Sequence, residues 1–328
     1  MRFLLGLLRL LAGLLILATA TPAILALSGF AVPFFDLFNH LQLLLFIGAT
    51  VALLAGLVLR MRRVWLVLSI VGFAASAWTF VPEWASSLSP RPAATGATVL
   101  KVMTNNVFGL NYDMERVAAA IKAESPDIVA LQEYFPEQSG PLGKLLAADY
   151  PYSVRCQGGK RANLGLYSRI PFDKEMSAAD CPSDAYGTQR TAHIIAGFTL
   201  ADGTHFSVMT THMDWPFPIA RQHDEFVSAE TAVNAVQGPL LVVGDFNSTP
   251  WSYAMKGFEA ATGLRRETRN LITYPLMVTA PDGLLPTLPF LALDQVFTRG
   301  ITVTDLRRGE ATGSDHLPVV LSFEVTKG

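Results

Sequence analysis

The sequence contains little charge. Only 16% of its 328 residues are Asp, Glu, Lys or Arg, whereas 51% are hydrophobic. Soluble domains average about 25% charged residues, so this composition is too apolar for an ordinary soluble chain. The formal net charge of -2 also provides no overall basic surface for tight nucleic-acid binding. A local basic patch would still suffice for a nucleic-acid substrate.

The shortage of charge is greatest in residues 3 to 82, which contain three long hydrophobic segments, at residues 10 to 30, 41 to 59 and 64 to 81. About 20 apolar helical residues span a bilayer core, and each segment approaches or reaches that length. We therefore predict a three-helix transmembrane anchor over residues 1 to 82. The alternative for the first segment is a signal peptide cleaved after Ala18-Thr19-Ala20, but the apolar run continues beyond that site.

Lys and Arg are missing from the connection between the first two segments, residues 33 to 40, whereas Arg60, Arg62 and Arg63 lie between the second and third. Cytoplasmic loops of membrane proteins carry the excess of Lys and Arg. The pattern predicts a multi-pass protein of the inner membrane with its N-terminus in the cytoplasm. Everything after Glu83 is then expected to be extracytoplasmic, in the periplasm.

Cysteine is scarce, since Cys156 and Cys181 are the only two. No Cys/His cluster with the spacing of a zinc site is present. An oxidising compartment would permit a disulfide between the two cysteines. The sequence leaves a disulfide and two unpaired thiols equally open.

The remainder of the chain is typical of a soluble α/β domain. Residues 83 to 98 are rich in Ser, Pro and Ala, which is a linker composition. From residue 99 to 328, short apolar runs alternate with helical patterns, which predicts one α/β domain with mixed strand directions. We predict strands at residues 99–103, 127–131, 164–167, 193–200, 205–211, 240–243, 293–298 and 317–324, and helices at 113–122 and 219–236.

Polar side chains occur where these apolar runs begin or end, and they share carboxylate, amide or imidazole chemistry. They are Asn106, Glu133, His212, Asp245, Asn247, Asp294, Asp315 and His316. A sheet edge at which several strands end is a natural place for a site. Each residue also has a simpler interpretation: Asp245 and Asn247 as turn residues, Glu133 as a surface carboxylate, and His212 as a satisfied sheet-end histidine.

This set suits the hydrolysis of a phosphate ester. Hard divalent cations prefer oxygen ligands, so Glu133, Asn106, Asp245 and Asp315 suit Mg²⁺, or alternatively Mn²⁺. Such an ion neutralises charge on phosphate oxygens. Asp245 and Asn247 are two residues apart and face the same side of an extended chain. A histidine supported by a carboxylate stabilises developing negative charge.

Six segments containing these residues resemble, in the same order, the endonuclease/exonuclease/phosphatase superfamily, whose members include deoxyribonuclease I-like nucleases. The resemblance covers residues 99 to about 325, and the apolar N-terminus is similar to that of membrane-anchored bacterial members. The segments are Met103-Thr104-Asn105-Asn106-Val107, Leu131-Gln132-Glu133, Thr211-His212-Met213, Gly244-Asp245-Phe246-Asn247, Leu293-Asp294-Gln295-Val296-Phe297 and Gly313-Ser314-Asp315-His316-Leu317-Pro318-Val319.

The resemblance implies a four-layered α/β sandwich, with two central mixed sheets flanked by helices. It implies that Glu133 is the principal metal ligand, assisted by Asn106 and Asp315. Asp245 would activate the attacking water and Asn247 would contact the phosphate. His316, oriented by Asp294, would bind phosphate and stabilise charge, and His212 would be the second histidine at the scissile phosphate. Asn106 is aligned in preference to Asn105 because it directly precedes Val107.

The expected function is metal-dependent hydrolysis of a phosphodiester or phosphomonoester. A membrane-lipid phosphodiesterase is one alternative, for which the apolar residues 274 to 290 are a candidate lipid-contacting loop. A non-catalytic binding or scaffold domain is another, which the complete polar set disfavours. The expected partners are a lipid bilayer and a phosphate-ester substrate (nucleic acid, lipid head group or sugar phosphate), and the sequence indicates no protein partner. Trp215 and Trp251 either line the cleft or pack in the core.

Overall fold

The computed structural model describes residues 2–95, 98–158, 161–182 and 191–325. They form two compact units. The first comprises Met1–Ser89 together with Thr249–Lys256, and the second comprises Pro90–Ser248 and Gly257–Gly328.

Three long apolar helices dominate the first unit, as the sequence predicts. They are α1 (Arg2–Ala26), α3 (Gln42–Val58) and α4 (Arg63–Ser87), and a short helix α2 (Pro33–Asp36) with a 3₁₀ turn (Leu37–Leu41) precedes α3. Each of the stretches Arg2–Ala26, Pro33–Val58 and Arg63–Ser87 is long and apolar enough to cross a membrane. Because α4 ends at Ser87, the segment predicted as a linker starts inside this helix.

Small residues allow these helices to approach closely. A Cβ atom at Gly72 would lie 2.3 Å from that of Ala20, and one at Gly48 would lie 2.7 Å from a side-chain carbon of Thr19. Lipid tails are as apolar as the side chains, so close packing of small residues is a main source of helix association in a bilayer.

A buried polar network lies among the apolar residues of the first unit. The Asp36 carboxylate accepts hydrogen bonds from the backbone N–H groups of Tyr253 and Ala254, at 2.8 to 3.1 Å. Asn39 donates to Asp36 and accepts from Gln42. Buried polar groups are costly unless hydrogen-bonded, and Asp36 satisfies the first N–H groups of a helix that begins at Tyr253.

The second unit contains two six-stranded mixed sheets. The first sheet has the order β13-β14-β1-β2-β4-β3, and the second has the order β5-β6-β7-β8-β12-β9. In chain order the elements are β1 (Val99–Asn106), α5 (Met114–Glu124), β2 (Ile128–Gln132), α6 (Pro136–Leu146), β3 (Tyr152–Cys156), β4 (Leu164–Ser168), β5 (Asp173–Asp180), β6 (His193–Thr199), β7 (His205–His212), α7 (Ile219–Ala235), β8 (Leu240–Asp245), α8 (Tyr253–Thr262), β9 (Arg265–Arg266), β10 (Met277–Ala280), β11 (Gly283–Pro286), β12 (Asp294–Arg299), β13 (Ile301–Arg308) and β14 (Val319–Val325).

The two sheets pack face to face. One continuous apolar core contains Val102 and Leu321 from the first sheet and Val208 and Val243 from the second, all fully buried. Helices α5 and α6 cover the outer face of the first sheet. Four phenylalanines of α7, α8 and the second sheet pack ring against ring, at 5.0 to 6.3 Å, on the other outer face. The predicted four-layered α/β sandwich is therefore confirmed.

Every strand and helix predicted in this unit is present, and no end differs from its prediction by more than three residues. Sequence reasoning missed α6, α8, the β10–β11 hairpin and several edge strands. Helix α6 contains Pro136 at its start and Pro141 inside it, and proline is normally a helix breaker. Strand β5 mixes exposed and half-buried positions without a regular alternation or a clear apolar face, so its pattern carries no strand signal.

Parallel pairing brings the polar residues together at one edge. Strand β1 runs parallel to β2, which places Asn106 beside Gln132, the residue before Glu133. Strand β7 runs parallel to β8, which places His212 beside Asp245. Antiparallel β12 begins beside the end of β8, so Asp294 also pairs with Asp245. The registers of both sheets therefore carry these side chains to a common edge.

Cys156 and Cys181, whose pairing the sequence left open, form a disulfide in the second unit. It connects the end of β3 to the residue that follows β5.

Gly244 tests the parallel β7–β8 register that positions Asp245. It has a φ of +150°, and an added Cβ would lie 2.1 Å from the carbonyl oxygen of Thr211. We expect Gly244→Ala to lower the free energy of unfolding by more than about 3 kcal/mol, since strain and overpacking add. Thermal unfolding of the full chain in detergent measures this. The control is Gly257→Ala, where a Cβ meets nothing within 4 Å. Equal stability of the two variants would contradict the close approach.

Candidate active site

Two of the site residues have unusual backbone conformations. Glu133, directly after β2, has a φ of +52°, and Asn247, two residues after β8, has a φ of +46°. Non-glycine residues rarely adopt positive φ, and such conformations concentrate at functional sites, where surrounding structure maintains them. Here each one turns a polar side chain away from its strand at the edge shared by the two sheets.

The Asp245 carboxylate is the centre of the cluster. Its Oδ2 atom accepts a hydrogen bond from Asn106 Nδ2 at 3.0 Å. The same oxygen lies 3.5 Å from His212 Nε2 and 3.7 Å from His316 Nε2. Its Oδ1 atom accepts the backbone N–H of Asn247 at 2.8 Å. Because Asn106 belongs to the first sheet and Asp245 to the second, this carboxylate joins the two sheets at the site.

His316 forms a buried ion pair with Asp294. Its Nδ1 lies 2.8 Å from Asp294 Oδ2, and Thr273 donates its hydroxyl to that same oxygen at 2.5 Å. Burial alone would lower the pKa of His316, but the charges of Asp294 and Asp245 outweigh it and raise the pKa to about 10. The neighbouring carboxylates therefore favour the protonated form of His316, whose Nε2 is directed at Asp245.

Glu133 and Asp315 provide further acidic groups at this edge. Glu133 Oε2 accepts the backbone N–H of Gly109 at 2.9 Å, and its Oε1 lies 3.9 Å from His212 Nε2. Burial raises the pKa of Asp315 to about 6, with the negative charge of Glu133 adding to the shift and His316 opposing it. Repulsion between neighbouring carboxylates is relieved when a cation lies between them.

The donor set fits a hard divalent cation. Asp245, Asp294 and His316 offer buried ligand atoms within 4.8 Å of one another. The hydrogen bond between the last two favours a support role for Asp294 over ligation. Among the described residues, Asn247 Oδ1 is buried and accepts no hydrogen bond, and such an oxygen requires a proton donor or a cation. Together with Glu133, Asn106 and Asp315 at the same edge of the sheets, the site offers oxygen ligands of the kind that Mg²⁺ and Mn²⁺ prefer.

The structure thus brings together all eight residues singled out in the sequence, and it adds Arg161, which sequence reasoning missed. The Arg161 side chain is only 8% exposed. Its Nη1 lies 2.8 Å from His212 Nε2 and 3.5 Å from Glu133 Oε1. The available signal was a basic residue in a glycine-containing stretch of the sequence, Gly158-Gly159-Lys160-Arg161, but only the tertiary structure brings Arg161 to the site.

The two tryptophans with open assignments differ. Trp251 is fully buried and packs against Phe80 within the first unit, at 5.6 Å between ring centroids. Trp215 is 37% exposed and lies 5.7 Å from the ring of Tyr274, which in turn lies 4.6 Å from the His316 ring. Trp251 is therefore a packing residue, whereas Trp215 belongs to an aromatic row that leads to the site.

This chain has two mixed sheets in a four-layered sandwich, and acids, amides and histidines meet at one edge of the sheets. That combination defines the phosphoesterase class of α/β sandwiches. The model of the Endonuclease/Exonuclease/phosphatase family matches residues 103–316, which include all eight residues and Arg161. The chain belongs to this family.

Two curated relatives match this chain over only part of their own length. UPF0294 protein VV2535 of Vibrio vulnificus is 30% identical over 127 residues, which are 38% of this chain and 42% of the relative. UPF0294 protein VP2298 of Vibrio parahaemolyticus is 27% identical over 128 residues, with the same two shares. The chain therefore spans less than half the length of these relatives.

Solved structures share the fold. An endonuclease/exonuclease/phosphatase from Beutenbergia cavernae has a TM-score of 0.54 at 22% identity and covers 70% of this chain and 72% of its own. D. rerio TDP2, complexed with a single-strand DNA product, has a TM-score of 0.54 at 17% identity, with shares of 69% and 99%. The Bacteroides thetaiotaomicron mannosyl-6-phosphatase Bt3783 has a TM-score of 0.52 at 19% identity, with shares of 68% and 99%.

A buried carboxylate behind the site predicts a pH-dependent stability. Glu225 accepts the backbone N–H of Asp214 at 2.6 Å. Burial raises the pKa of Glu225 from 4.5 to about 7, the charge of Asp214 adds to the shift, and Arg161 and Arg221 oppose it. The folded state binds this proton more tightly than the unfolded state, so the contribution to stability falls as the pH rises from about 4.5 to about 7.

Glu225→Gln removes that titration and keeps an acceptor oxygen. We expect the variant to gain stability over the wild type across this pH range, by about 2 to 3 kcal/mol above pH 7. Thermal unfolding at several pH values measures the difference. Glu175→Gln, which makes the same substitution at an exposed position, is the control and should leave the stability of the protein nearly unchanged. A constant difference between Glu225→Gln and the wild type would contradict the prediction.

Proposed function

We propose that this protein is a Mg²⁺- or Mn²⁺-dependent phosphoesterase that hydrolyses a phosphodiester or phosphomonoester with a water molecule as nucleophile. The observation that carries the proposal is the convergence of Asn106, His212 and His316 on one oxygen of Asp245, within 3.0 to 3.7 Å. Seven of the eight residues are linked by direct contacts, and Asp315 adjoins His316. A purely structural cluster would not need two histidines and an amide directed at a single buried carboxylate.

In the proposed mechanism, Asp245 orients the attacking water and accepts its proton as the water oxygen bonds to phosphorus. Protonated His316 donates a hydrogen bond from Nε2 to a non-bridging phosphate oxygen, where negative charge develops in the transition state. Asp294 fixes the orientation of the His316 ring. Asn106 and Asn247 hold Asp245 in place through its two oxygens, and the amide of Asn247 contacts the phosphate. The bond to the leaving oxygen breaks, that oxygen takes up a proton from solvent water, and Asp245 releases the proton it accepted to solvent.

The divalent cation would be held by Glu133, assisted by Asn106 and Asp315. When bound, it would supply positive charge that neutralises the phosphate oxygens and makes the phosphorus atom easier to attack. The Asp315 carboxyl group is buried near Glu133, and a shared cation would offset the repulsion between two neighbouring carboxylates.

The site defines the type of reaction more narrowly than it defines the class of substrate. The similar structures include one with a single-strand DNA product and one that is a mannosyl-6-phosphatase. Proteins of this fold therefore act on chemically different phosphate esters, and specificity lies in the loops around the site. For this chain we propose a nucleic acid, a sugar phosphate or a lipid head group. A non-catalytic scaffold is disfavoured because all eight site residues are present and adjacent.

The proposed location is the inner membrane, with the catalytic domain over residues 99 to 328 in the periplasm, after a linker at residues 83 to 98. The distribution of Arg60, Arg62 and Arg63 supports this orientation, and the disulfide is of a kind that oxidising compartments maintain. Three helices that are long and apolar enough to cross a bilayer support the membrane anchor itself.

The test is hydrolysis of bis-p-nitrophenyl phosphate, p-nitrophenyl phosphate and single- and double-stranded DNA by the full chain in detergent. We expect activity that requires Mg²⁺ or Mn²⁺ and disappears with EDTA. Asp245→Asn and Glu133→Gln should each lower kcat by about 100-fold or more, because each removes a charged group at the reacting centre.

The matched control is Asp305→Asn, which removes the same charge from an exposed side chain. It should retain the wild-type rate and metal dependence. Full activity of Asp245→Asn, or activity that persists in EDTA, would refute the proposed function.

A second candidate, a membrane-lipid phosphodiesterase, is favoured by the β10–β11 hairpin. Val278, Leu284 and Leu285 on this hairpin are 42 to 54% exposed, and Leu288 just beyond it is 85% exposed. The backbone N–H of Leu276, at the start of the hairpin, donates to the Asp315 carbonyl oxygen at 2.8 Å. An exposed apolar surface therefore begins beside the site, within the stretch that the sequence marked as a lipid-contacting loop.

Replacing Leu284 and Leu285 with Ser together tests the lipid-directed function. We expect hydrolysis of sphingomyelin or phosphatidylinositol phosphates in vesicles to fall about 10-fold or more, because burial of each apolar side chain in a bilayer is worth about 1.5 to 3 kcal/mol. Hydrolysis of the water-soluble p-nitrophenyl esters should not change. Val227→Ser, at an exposed position of α7, is the control. If the double variant hydrolyses lipid vesicles at the wild-type rate, this candidate is wrong.

A further inference from the structure

We infer that Arg161 is a catalytic residue that binds a non-bridging oxygen of the substrate phosphate, and that His212 positions Arg161 rather than transferring a proton. The inference rests on the proposed phosphoesterase function and adds the residue that recognises the phosphate. It is carried by the position of one guanidinium nitrogen, Nη1, between the Glu133 and His212 side chains.

One edge of the Arg161 guanidinium is fixed by Asp214. Nε and Nη2 of Arg161 donate to Asp214 Oδ1 at 3.3 and 3.1 Å. The other oxygen of Asp214 accepts from Arg221 at 2.9 Å, and Glu225 accepts its backbone N–H. Asp214 is thus held from several sides, and it holds the guanidinium in one orientation. A planar, fixed guanidinium loses little entropy when it binds an anion.

The opposite side of the guanidinium points into the catalytic cluster. Nη1 carries two hydrogens and lies 2.8 Å from His212 Nε2 and 3.5 Å from Glu133 Oε1. The shorter contact is a good hydrogen bond, whereas the longer one is at the limit of hydrogen bonding. A phosphate oxygen bound beside Glu133 is therefore a better acceptor for the second hydrogen than the Glu133 carboxylate at its present distance.

The contact with Arg161 also determines which role His212 can have. A guanidinium has only donors and no acceptor, so we assign Nε2 of His212 as the acceptor of this hydrogen bond, which places the ring proton on Nδ1. The nitrogen of His212 that faces Asp245 and Asn247, at 3.5 and 3.4 Å, therefore carries no proton to transfer. Its function is to orient Nη1 of Arg161, which makes His212 a positioning residue.

Simple charge balance is the competing explanation, in which Arg161 only neutralises Asp214 and Glu133. The two explanations differ in phosphate affinity. If Arg161 contacts phosphate, its removal weakens phosphate binding directly. If it only balances charge, its removal leaves phosphate binding unchanged and strengthens metal binding, since Glu133 loses a competing cation.

The first experiment uses the full chain in detergent with Mn²⁺, and inorganic phosphate is the probe. Binding is measured by the rise in melting temperature with phosphate, and independently by competitive inhibition of p-nitrophenyl ester hydrolysis. We expect Arg161→Gln to weaken phosphate binding about 10-fold or more and to lower kcat/KM about 100-fold, as removal of a donor to a transition-state oxygen does. Arg161→Lys should recover part of the affinity through its charge.

The matched control is Arg266→Gln. Arg266 is also a buried guanidinium in an ion pair, with Glu259 at 2.7 Å, but it lies outside the catalytic cluster. The Arg266→Gln variant should have a lower melting temperature than the wild type and an unchanged affinity for phosphate. Phosphate binding by Arg161→Gln within twofold of the wild type, or no phosphate-dependent rise in the wild type, overturns the inference. The melting measurement needs no turnover, so it separates this outcome from failure of the proposed function, which Glu133→Gln reports.

The second experiment compares His212→Gln with His212→Leu. Glutamine keeps an acceptor for Arg161 but cannot transfer a proton, whereas leucine provides neither. We expect His212→Gln to retain activity within about 10-fold of the wild type and His212→Leu to lose about 100-fold, together with phosphate affinity. Equal, large losses in kcat for both variants with unchanged phosphate binding would show that His212 transfers a proton, and would overturn its positioning role.

Discussion

The buried carboxylate of Asp245 is the interaction on which the site depends. It lies at the end of β8, in the sheet that also supplies His212 and Asp294, and it accepts a hydrogen bond from Asn106 of the other sheet. A buried charge is tolerated only when its oxygens are satisfied. The relative position of the two sheets at this edge is therefore tied to one oxygen atom, and a shift of either sheet would leave that charge without its partners.

The same constraint explains why the site combines opposite charges. Asp294, Asp245, Glu133 and Asp315 concentrate negative charge where water is largely excluded. The structure offsets part of that charge with the imidazolium of His316 and the guanidinium of Arg161, both held by carboxylates at 2.8 to 3.5 Å. Such a centre binds cations and anions in adjacent positions, which is what a metal ion and a phosphate ester require. The left-handed backbone at Glu133 and Asn247 is the local strain that this arrangement maintains.

Most of the fold in the second unit was predictable because its central strands are buried on both faces. Runs such as Leu240–Val243 and Ile128–Leu131 are continuously apolar, and they end abruptly in polar residues. Edge strands and the β10–β11 hairpin have mixed exposure and carry no comparable signal. Helix α6 was hidden by its prolines and glycines, although Gln138 satisfies the backbone N–H of Phe135 at the helix start.

The sequence alone determined the apolar N-terminal helices, the α/β class and the eight polar residues, because hydrophobic runs and the residues that end them are local properties of a chain. The tertiary structure decided that these residues meet at Asp245, that Cys156 and Cys181 are bonded, and that Arg161 joins the cluster. Those facts depend on strand register and on contacts that Arg161 makes with residues 28 to 53 positions away along the chain. Neither periodicity nor composition encodes contacts at such separations.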